Sequence, residues 1–188
     1  MDDFLVFDQT LFLYLNGLGQ PKFDWFWLLL THKATNAVVY ISMALWCGYR
    51  YGWPVFFRIV LISVLLVGCT DQITNLFKYG FERLRPCHES DLAGLMRLAK
   101  SNCGGLYSFF SGHASNSFAL ATFFFGIVKR MLPRLRWLLF LLAALIAYSR
   151  VYLGVHYPLD IFCGTVFGLL IGKLFYRLSC YFQLLSSN

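Results

Sequence analysis

The sequence predicts an all-α integral membrane bundle with about five transmembrane helices, and three observations support this fold class. The 188-residue chain is 59% hydrophobic and only 13% charged, with a mean hydropathy of +0.61, whereas a soluble domain has about a quarter charged residues. The apolar residues fall into helix-length blocks. No Gly/Ser linker, low-complexity tract or internal repeat separates these blocks, so we expect residues 1–188 to form a single domain.

The N-terminal segment, residues 1–33, is expected to lie at the membrane interface. Residues 4–18 are too polar and too short to cross about 30 Å of hydrocarbon, so an amphipathic interfacial helix fits better. The polar positions of this stretch are Asp8, Gln9, Thr10 and Asn16. After a glycine- and proline-containing turn, the aromatic-rich residues 23–31 predict a second interfacial piece.

Five apolar blocks follow and are predicted to span the membrane. They are residues 34–49, 54–77, 112–128, 137–149 and 158–175. Pro54 suits the first turn of its helix, where a missing N–H group costs nothing. The polar stretch 78–111 is expected to be an extramembrane active-site segment.

The basic residues stand in small groups at the ends of the apolar blocks. No single basic stripe is present, which argues against a nucleic-acid partner in spite of the net charge of +7. Five spans place eight basic residues on one side: Arg50, Arg58, Lys129, Arg130, Arg134, Arg136, Lys173 and Arg177. The other side also has eight: Lys22, Lys33, Lys78, Arg83, Arg85, Arg97, Lys100 and Arg150.

Three cations of the second side, Lys78, Arg85 and Arg150, are candidates for phosphate binding. Without these three, five of the eight basic residues on the second side remain, against eight on the first side. The positive-inside rule then places the first side in the cytoplasm. We therefore expect a multi-pass protein of a bacterial-type inner membrane, with segment 78–111 facing the periplasm or the outside.

Two of the six cysteines, Cys87 and Cys103, lie within the polar segment. In an oxidising compartment these two can form a disulfide, closing a loop worth on the order of 3 kcal/mol. Two free thiols are the alternative. The other four cysteines lie in or beside spans and are interpreted as small core residues.

His156 and Asp160 lie four residues apart at the predicted start of the last span. This spacing puts them on one helix face. A carboxylate that binds one imidazole nitrogen fixes the tautomer and leaves the other nitrogen free to attack. The alternative is a surface pair that only helps the helix to start.

Ser111, Gly112 and His113 open the third span. The first N–H groups of a helix have no intrahelical partner and the helix dipole is positive there. Gly112 lets an oxyanion approach the backbone closely. The tripeptide therefore predicts a phosphate cradle with His113 at its rim, and the alternative is a serine N-cap beside an incidental histidine.

Three cations, Lys78, Arg85 and Arg150, lie on the same predicted side as the two histidines. A phosphate monoester carries almost two negative charges, and the guanidinium fork of Arg matches its oxygens. The alternative is interfacial snorkelling. Snorkelling explains Lys78 and Arg83 more easily than Arg150, which follows a wholly apolar run.

Asp71 and Asn75 share a helical face with Lys78 and are expected to support it from behind, because an intramembrane carboxylate normally has a partner. Neither Cys-x-x-Cys nor His-Glu-x-x-His occurs. The residue pattern therefore indicates phosphoryl transfer by covalent catalysis, with no metal required.

These three segments resemble the signature of the type 2 phosphatidic acid phosphatase family. They are Lys78-x6-Arg85-Pro86, Ser111-Gly112-His113 and Ser149-Arg150-x5-His156-x3-Asp160. The family includes undecaprenyl pyrophosphate, phosphatidylglycerophosphate, lipid A and eukaryotic lipid phosphate phosphatases. The resemblance extends from about residue 10 to residue 178, and three separated motifs in the same order make it specific.

The resemblance implies a role for each site residue. His156 would attack phosphorus to form a phosphohistidine, Asp160 would orient it, and His113 would protonate the leaving group before water hydrolyses the intermediate. The phosphate oxygens would be held by Lys78, Arg85, Arg150 and the turn at Ser111 and Gly112. It implies no metal and no other cofactor.

The resemblance also implies a lipid phosphate as substrate, with undecaprenyl pyrophosphate favoured. Phosphatidylglycerophosphate, phosphatidate and lipid A are the alternatives, and loops 86–110 and 151–157 are expected to decide between headgroups. No obligatory protein partner is evident from the sequence. Two departures from the family pattern stand out: Phe110 replaces the usual proline before Ser-Gly-His, and many relatives have six spans, which leaves the side of the N-terminus open.

Two other classes of protein compete with this interpretation. Vanadium haloperoxidases bind vanadate with similar residues, but they are soluble, whereas this chain has apolar runs of bilayer length. A non-catalytic membrane module with a relic site is the second, because a fold does not guarantee a function. The complete set of site residues argues against it.

Overall fold

A computed structural model describes residues 2–100, 102–129 and 131–185. Within these ranges the regular structure is helical, apart from an isolated antiparallel bridge between Leu84 and Tyr107. The α-helices are α1 (Asp2–Gly17), α2 (Asp24–Thr31), α3 (Lys33–Tyr51), α4 (Trp53–Phe81), α5 (Gly112–Ile127), α6 (Leu138–Tyr152) and α7 (Pro158–Tyr181). The all-α prediction is confirmed. Arg130, one of the basic residues counted above, lies outside the described ranges.

Each of the five predicted spans corresponds to one helix, from α3 to α7. Among the described residues, three segments are long and apolar enough to cross a membrane by length and composition: Trp53–Phe81, Leu135–Tyr152 and Pro158–Tyr181. α5 has only 16 residues, a length of about 24 Å at 1.5 Å per residue. A membrane bundle is thus supported, and the number of five spans stays a prediction.

α5 and α7 run parallel to each other and approach closely along a stripe of glycines. Gly164, Gly168 and Gly172 recur at every fourth residue of α7, so they lie on one face. A Cβ atom at these positions would clash with the carbonyl oxygens of Ser111, Ser115 and Ala119, at the start of α5 and along it. Small residues at such spacing let two membrane helices pack backbone to backbone. The stripe therefore fixes the distance between the N-termini of α5 and α7.

The apolar middle of the bundle is filled by side chains from α3, α4, α5 and α6. Its fully buried members include Cys47, Ile59, Leu66, Phe123 and Ala143. Because lipid tails are as apolar as these side chains, their association depends on close packing rather than on removal from water.

α1 has two different faces. Asp8, Phe12 and Asn16, at intervals of four, are 4%, 0% and 1% exposed and face the protein. The opposite face is apolar and exposed, with Val6, Phe7 and Tyr14. α1 therefore packs its polar face against the protein and exposes its apolar face, and the interfacial position expected for this segment stays a prediction.

Candidate active site

The three motif segments meet at one end of the bundle. This end contains the C-termini of α4 and α6 and the N-termini of α5 and α7. The backbone N–H of Ser111 donates to the carbonyl oxygen of Asp160 at 3.1 Å, which joins the starts of α5 and α7 directly. The predicted convergence of distant chain segments is therefore present in the structure.

His156 and Asp160 form a buried pair, 2% and 0% exposed. The Nδ1 atom of His156 lies 3.3 Å from Oδ2 of Asp160, and the same oxygen accepts from the N–H of Tyr157 at 3.0 Å. The sequence analysis placed both residues on one helix face, and this detail is wrong. α7 begins at Pro158, and Asp160 reaches His156 because a carboxylate in the first turn bends back toward the residues before the helix.

The backbone around Ser108 also contacts this pair. Ser108 is fully buried and interacts electrostatically with both residues, while its N–H and its hydroxyl donate to the carbonyl of Arg83 at 2.8 and 3.2 Å. Burial lowers the pKa of His156 well below 6.5, and the nearby cations Arg85, Arg150 and Lys78 act in the same direction. His156 is therefore held in the neutral form that a nucleophile requires.

The start of α5 has the geometry of an anion site. Ser111 caps the helix by accepting from the N–H of Ala114, so the N–H groups of Gly112 and His113 lead the helix. A Cβ atom at Gly112 would lie 4.0 Å from Nζ of Lys78 and 3.8 Å from a carboxylate oxygen of Asp71. Lys78 therefore stands beside the positive end of the α5 dipole.

Asp71 and Asn75 have different positions in the structure. Asp71 accepts from the side-chain amide of Asn116 on α5 at 2.7 Å, so it faces the site. Asn75 is exposed and does not join it. The buried face of α4 includes Leu66, Thr70 and Thr74. Asn75 follows Thr74 in the chain, so its side chain points away from this face and outward.

Arg85 is oriented by the polar segment. Its Nε donates to the carbonyl of Tyr107 at 3.2 Å and its Nη1 to the carbonyl of Cys103 at 2.9 Å. A disulfide joins Cys103 to Cys87. Since Cys87 lies two residues after Arg85, the disulfide connects the residue that carries the acceptor carbonyl to the chain segment that carries the guanidinium.

Arg150 is 4% exposed at the end of α6. Its Nη1 donates to the hydroxyl of Thr31 at 2.8 Å. Its Nε is buried and has no hydrogen-bond partner among the described residues. A buried donor without a partner is costly, and a phosphate oxygen at this position would satisfy it.

Two further lysines that the sequence analysis did not assign stand near the histidines. His113 has electrostatic contacts with Arg150, His156, Lys33 and Lys100. Burial and the guanidiniums of Arg150 and Arg85 lower the pKa of Lys100. Positive charge thus lies near His113, as a doubly charged phosphate requires.

Arg83 is the clearest correction to the sequence analysis, which attributed it to snorkelling. Its Nη1 donates to Oδ1 of Asp160 at 3.1 Å and its Nη2 to Oδ2 of Asp8 at 2.6 Å. Its guanidinium also lies over the ring of Tyr157, 4.0 Å from the centroid. The spacing of Asp8, Phe12 and Asn16 could have indicated this contact. These residues lie on one face of α1, and a buried Asp8 carboxylate needs a cation as its partner.

An apolar groove of about 410 Å³ leads from His113 along α3, α4 and α5. Its walls include Tyr40, Val60 and Leu120. It opens at Ile41 and Val64, which are 49% and 64% exposed on the outer surface of the bundle. The groove thus connects the surface that faces lipid with one of the two histidines.

Comparison with known proteins identifies the family. The model of the PAP2 superfamily matches residues 56–183, a range that includes all three motif segments. The chain belongs to the PAP2 superfamily. It is therefore a membrane lipid phosphatase, a hydrolase of phosphoric esters.

Two curated relatives of this PAP2 phosphatase are similar over nearly its whole length. The lipid A 4'-phosphatase of Porphyromonas gingivalis is 33% identical over 184 residues, which cover 96% of this chain and 76% of the relative. The lipid A 4'-phosphatase of Bacteroides thetaiotaomicron is 34% identical over 174 residues, 90% of this chain and 75% of the relative.

A solved structure supports the fold. The PAP2-type phosphatidylglycerolphosphate phosphatase of Bacillus subtilis superposes with a TM-score of 0.75 over 96% of this chain and 88% of its own. The two sequences are 21% identical, so this likeness supports the architecture of the bundle and carries no conclusion about the substrate.

Proposed function

We propose that this protein removes a phosphate monoester from a lipid A-type glycolipid, at the position named by its relatives, the 4'-phosphate. The observation that carries this proposal is the match of 96% of the chain to a lipid A 4'-phosphatase. A match of that extent runs through loops 86–110 and 151–157, which are expected to select the headgroup. The sequence analysis favoured undecaprenyl pyrophosphate, which becomes the main competitor.

In the proposed mechanism the free nitrogen of His156 attacks phosphorus while Asp160 holds the other nitrogen. The bond from phosphorus to the sugar oxygen breaks, and His113 donates a proton to the departing oxygen. A water molecule then gives a proton to His113, attacks the phosphohistidine and releases inorganic phosphate. The buried Nε of Arg150 is proposed to bind an oxygen of the transferred group, together with Lys78, Arg85 and the N–H groups at Gly112.

The groove from His113 is proposed to hold an acyl chain of the lipid. Its walls are apolar, and its open edge at Ile41 and Val64 faces the lipid. A substrate that enters from the membrane keeps its chains in an apolar environment while its phosphate reaches the histidines. Moving a methylene group out of water is worth about 0.8 kcal/mol, but an acyl chain that moves from lipid into the groove gains none of this. The groove is therefore proposed to orient the substrate and to add little to its affinity.

The site is proposed to face the periplasm. The excess of basic residues at the opposite end supports this orientation through the positive-inside rule. The disulfide at the site end supports it as well, because disulfides persist in oxidising compartments. The inner membrane is the proposed location.

Phosphate release by the purified protein in detergent micelles tests the substrate. Lipid A phosphorylated at both sugars is compared with undecaprenyl pyrophosphate, phosphatidylglycerophosphate and phosphatidate, and mass spectrometry locates the phosphate that remains. We expect the highest kcat/KM for lipid A with loss of the 4'-phosphate, and no phosphate release by His156→Ala. Exclusive loss of the 1-phosphate, or a tenfold preference for another lipid, contradicts the proposed substrate.

A further inference from the structure

A continuous chain of charged contacts runs from α1 to the proposed nucleophile. Oδ2 of Asp8 binds Nη2 of Arg83 at 2.6 Å, and Nη1 of Arg83 binds Oδ1 of Asp160 at 3.1 Å. The other carboxylate oxygen of Asp160 lies 3.3 Å from Nδ1 of His156. Each guanidinium or carboxylate in this chain uses different atoms for its two neighbours. The orientation of each group therefore depends on the one before it.

Asp8 holds the start of α7 by a second contact. Its Oδ1 accepts from the N–H of Leu159 at 2.9 Å, the residue next to Asp160. Because both oxygens of Asp8 are engaged and the side chain is 4% exposed, the carboxylate has little freedom to rotate. One side chain of α1 thus fixes both Arg83 and the turn that carries Asp160.

The rest of the inner face of α1 supports this placement. Phe12 packs edge to face against Tyr157, with ring centroids 5.4 Å apart. The amide of Asn16 donates to the carbonyls of Val151 and Tyr152 at 3.1 and 3.0 Å. All of these partners lie in or beside the loop that carries His156. α1 is therefore packed onto that loop over two turns of helix.

We propose that Asp8 is a positioning residue for catalysis, which acts on His156 through Arg83 and Asp160 and makes α1 a part of the catalytic unit. Asp8 does not contact the phosphate. Of the cations proposed to bind it, Arg85 and Arg150 are held by other partners, Tyr107, Cys103 and Thr31. Loss of the Asp8 carboxylate is thus expected to lower kcat and to leave KM unchanged. This inference rests on the role of His156 under the proposed function.

A second and more exposed ion pair, whose carboxylate also accepts from the hydroxyl of Tyr152, provides a control. Asp24, in the first turn of α2, binds both terminal nitrogens of Arg97 at 2.8 and 2.9 Å. It too joins the N-terminal region to the polar segment, and it contacts neither Asp160 nor His156. Asp24→Asn therefore weakens the ion pair with Arg97 and leaves the contacts from Asp8 through Arg83 and Asp160 to His156 in place.

The test compares Asp8→Asn, Asp8→Glu, Asp24→Asn and Arg83→Gln with the double variant Asp8→Asn/Arg83→Gln. Thermal unfolding in detergent is measured beside kcat and KM on lipid A and on dioctanoyl phosphatidate. We expect Asp8→Asn to lower kcat on the order of tenfold, as for directly coupled neighbours, with KM within twofold. Asp8→Glu restores part of kcat, and Asp24→Asn keeps kcat within twofold.

The double variant separates positioning from a general structural role. If Asp8 acts through Arg83, the double variant is no slower than Arg83→Gln alone. Additive losses, an unchanged kcat in Asp8→Asn, or equal losses in Asp8→Asn and Asp24→Asn overturn the proposal. If Asp8→Asn fails to fold, Asp8→Glu against Asp24→Asn makes the same comparison.

The two lipids keep this test separate from the choice of substrate. A preference for phosphatidate refutes lipid A as the substrate but leaves the ratio of variant to wild type measurable. Retained turnover in His156→Ala refutes the proposed nucleophile, and that control does not depend on Asp8.

Discussion

The site end of the bundle and its apolar middle are held together by different kinds of contact. At the site end, buried charges and backbone groups fix one another: Arg83 bridges two carboxylates, and Arg85 binds two carbonyls of a loop closed by a disulfide. In the middle, the glycines of α7 let its backbone touch α5, and apolar side chains fill the remaining space.

This difference separates the sources of catalysis and stability. Directional contacts between charges hold side chains in one geometry, which phosphoryl transfer needs. Close packing between helices holds the frame but does not orient a nucleophile. Changes at the site end are therefore expected to act mainly on turnover, and changes in the middle mainly on unfolding.

The largest effect on turnover is expected from His156→Ala, which removes the proposed nucleophile and changes only the site end. We expect kcat to fall on the order of 10⁴-fold or more, as for loss of a covalent nucleophile. The unfolding temperature should change little, because the glycine stripe is intact. Phosphate release and thermal unfolding on the same preparation check both parts. A large loss of stability with residual turnover would show that the two regions are not separable in this way.

The disulfide lies at the site end, and its removal is expected to lower stability as well as to weaken substrate binding. In Cys87→Ser/Cys103→Ser we expect a loss on the order of 3 kcal/mol of unfolding free energy. We also expect a higher KM, because the Cys103 carbonyl orients Arg85. The exposed free thiol of Cys180 supplies the control Cys180→Ser, which should match the wild type. An unchanged KM in the double variant would contradict the link to Arg85.

A single methyl group added to the stripe tests the middle. In Gly168→Ala the Cβ would lie 2.4 Å from the Ser115 carbonyl oxygen, so α5 and α7 must move apart at a cost of about 1–3 kcal/mol. Gly68→Ala in α4, whose Cβ would meet nothing within 4 Å, is the control. Equal unfolding temperatures of the two variants would show that the stripe is not tightly packed.

The smallest expected effect is the pH dependence of kcat/KM, which depends on the site end alone. Burial and the cations Arg85, Arg150 and Lys78 lower the pKa of His156 well below 6.5, while Asp160 contacts its Nδ1 atom. Since the nucleophile must be neutral, the loss of activity on the acid side occurs as the pH falls through this lowered pKa. We expect the acid limb of kcat/KM, which reports the free enzyme, to lie below pH 6.5. An acid limb above pH 6.5 would contradict the neutral, buried state.

The sequence predicted the helices and the motif residues well because both depend on short-range patterns. Boundaries between apolar and polar residues located α3 to α7 within a few positions, and Lys78, His113 and Arg150 stand where such blocks end. Local spacing also indicated His156 and Asp160 as a pair, although the pair forms across a helix start and not along one face.

The contacts that were missed join residues far apart in the chain. Asp8 lies 75 residues from Arg83 and Arg83 lies 77 residues from Asp160, and no local pattern links them. The predicted inward face of α4 included Asn75, whereas the structure places Asn75 on the exposed surface, outside the site. Such errors arise because tertiary packing, and not helical spacing alone, decides which side of a helix is buried.

Detection of phosphate on His156 during turnover tests the proposed covalent mechanism most directly. The protein is mixed with lipid A, quenched under alkaline conditions that preserve phosphohistidine, digested and examined by mass spectrometry. The account predicts a phosphorylated peptide that contains His156 and is absent in His156→Ala. A phosphoryl group on another residue, or none during rapid turnover, would contradict the assignment of His156 as the nucleophile.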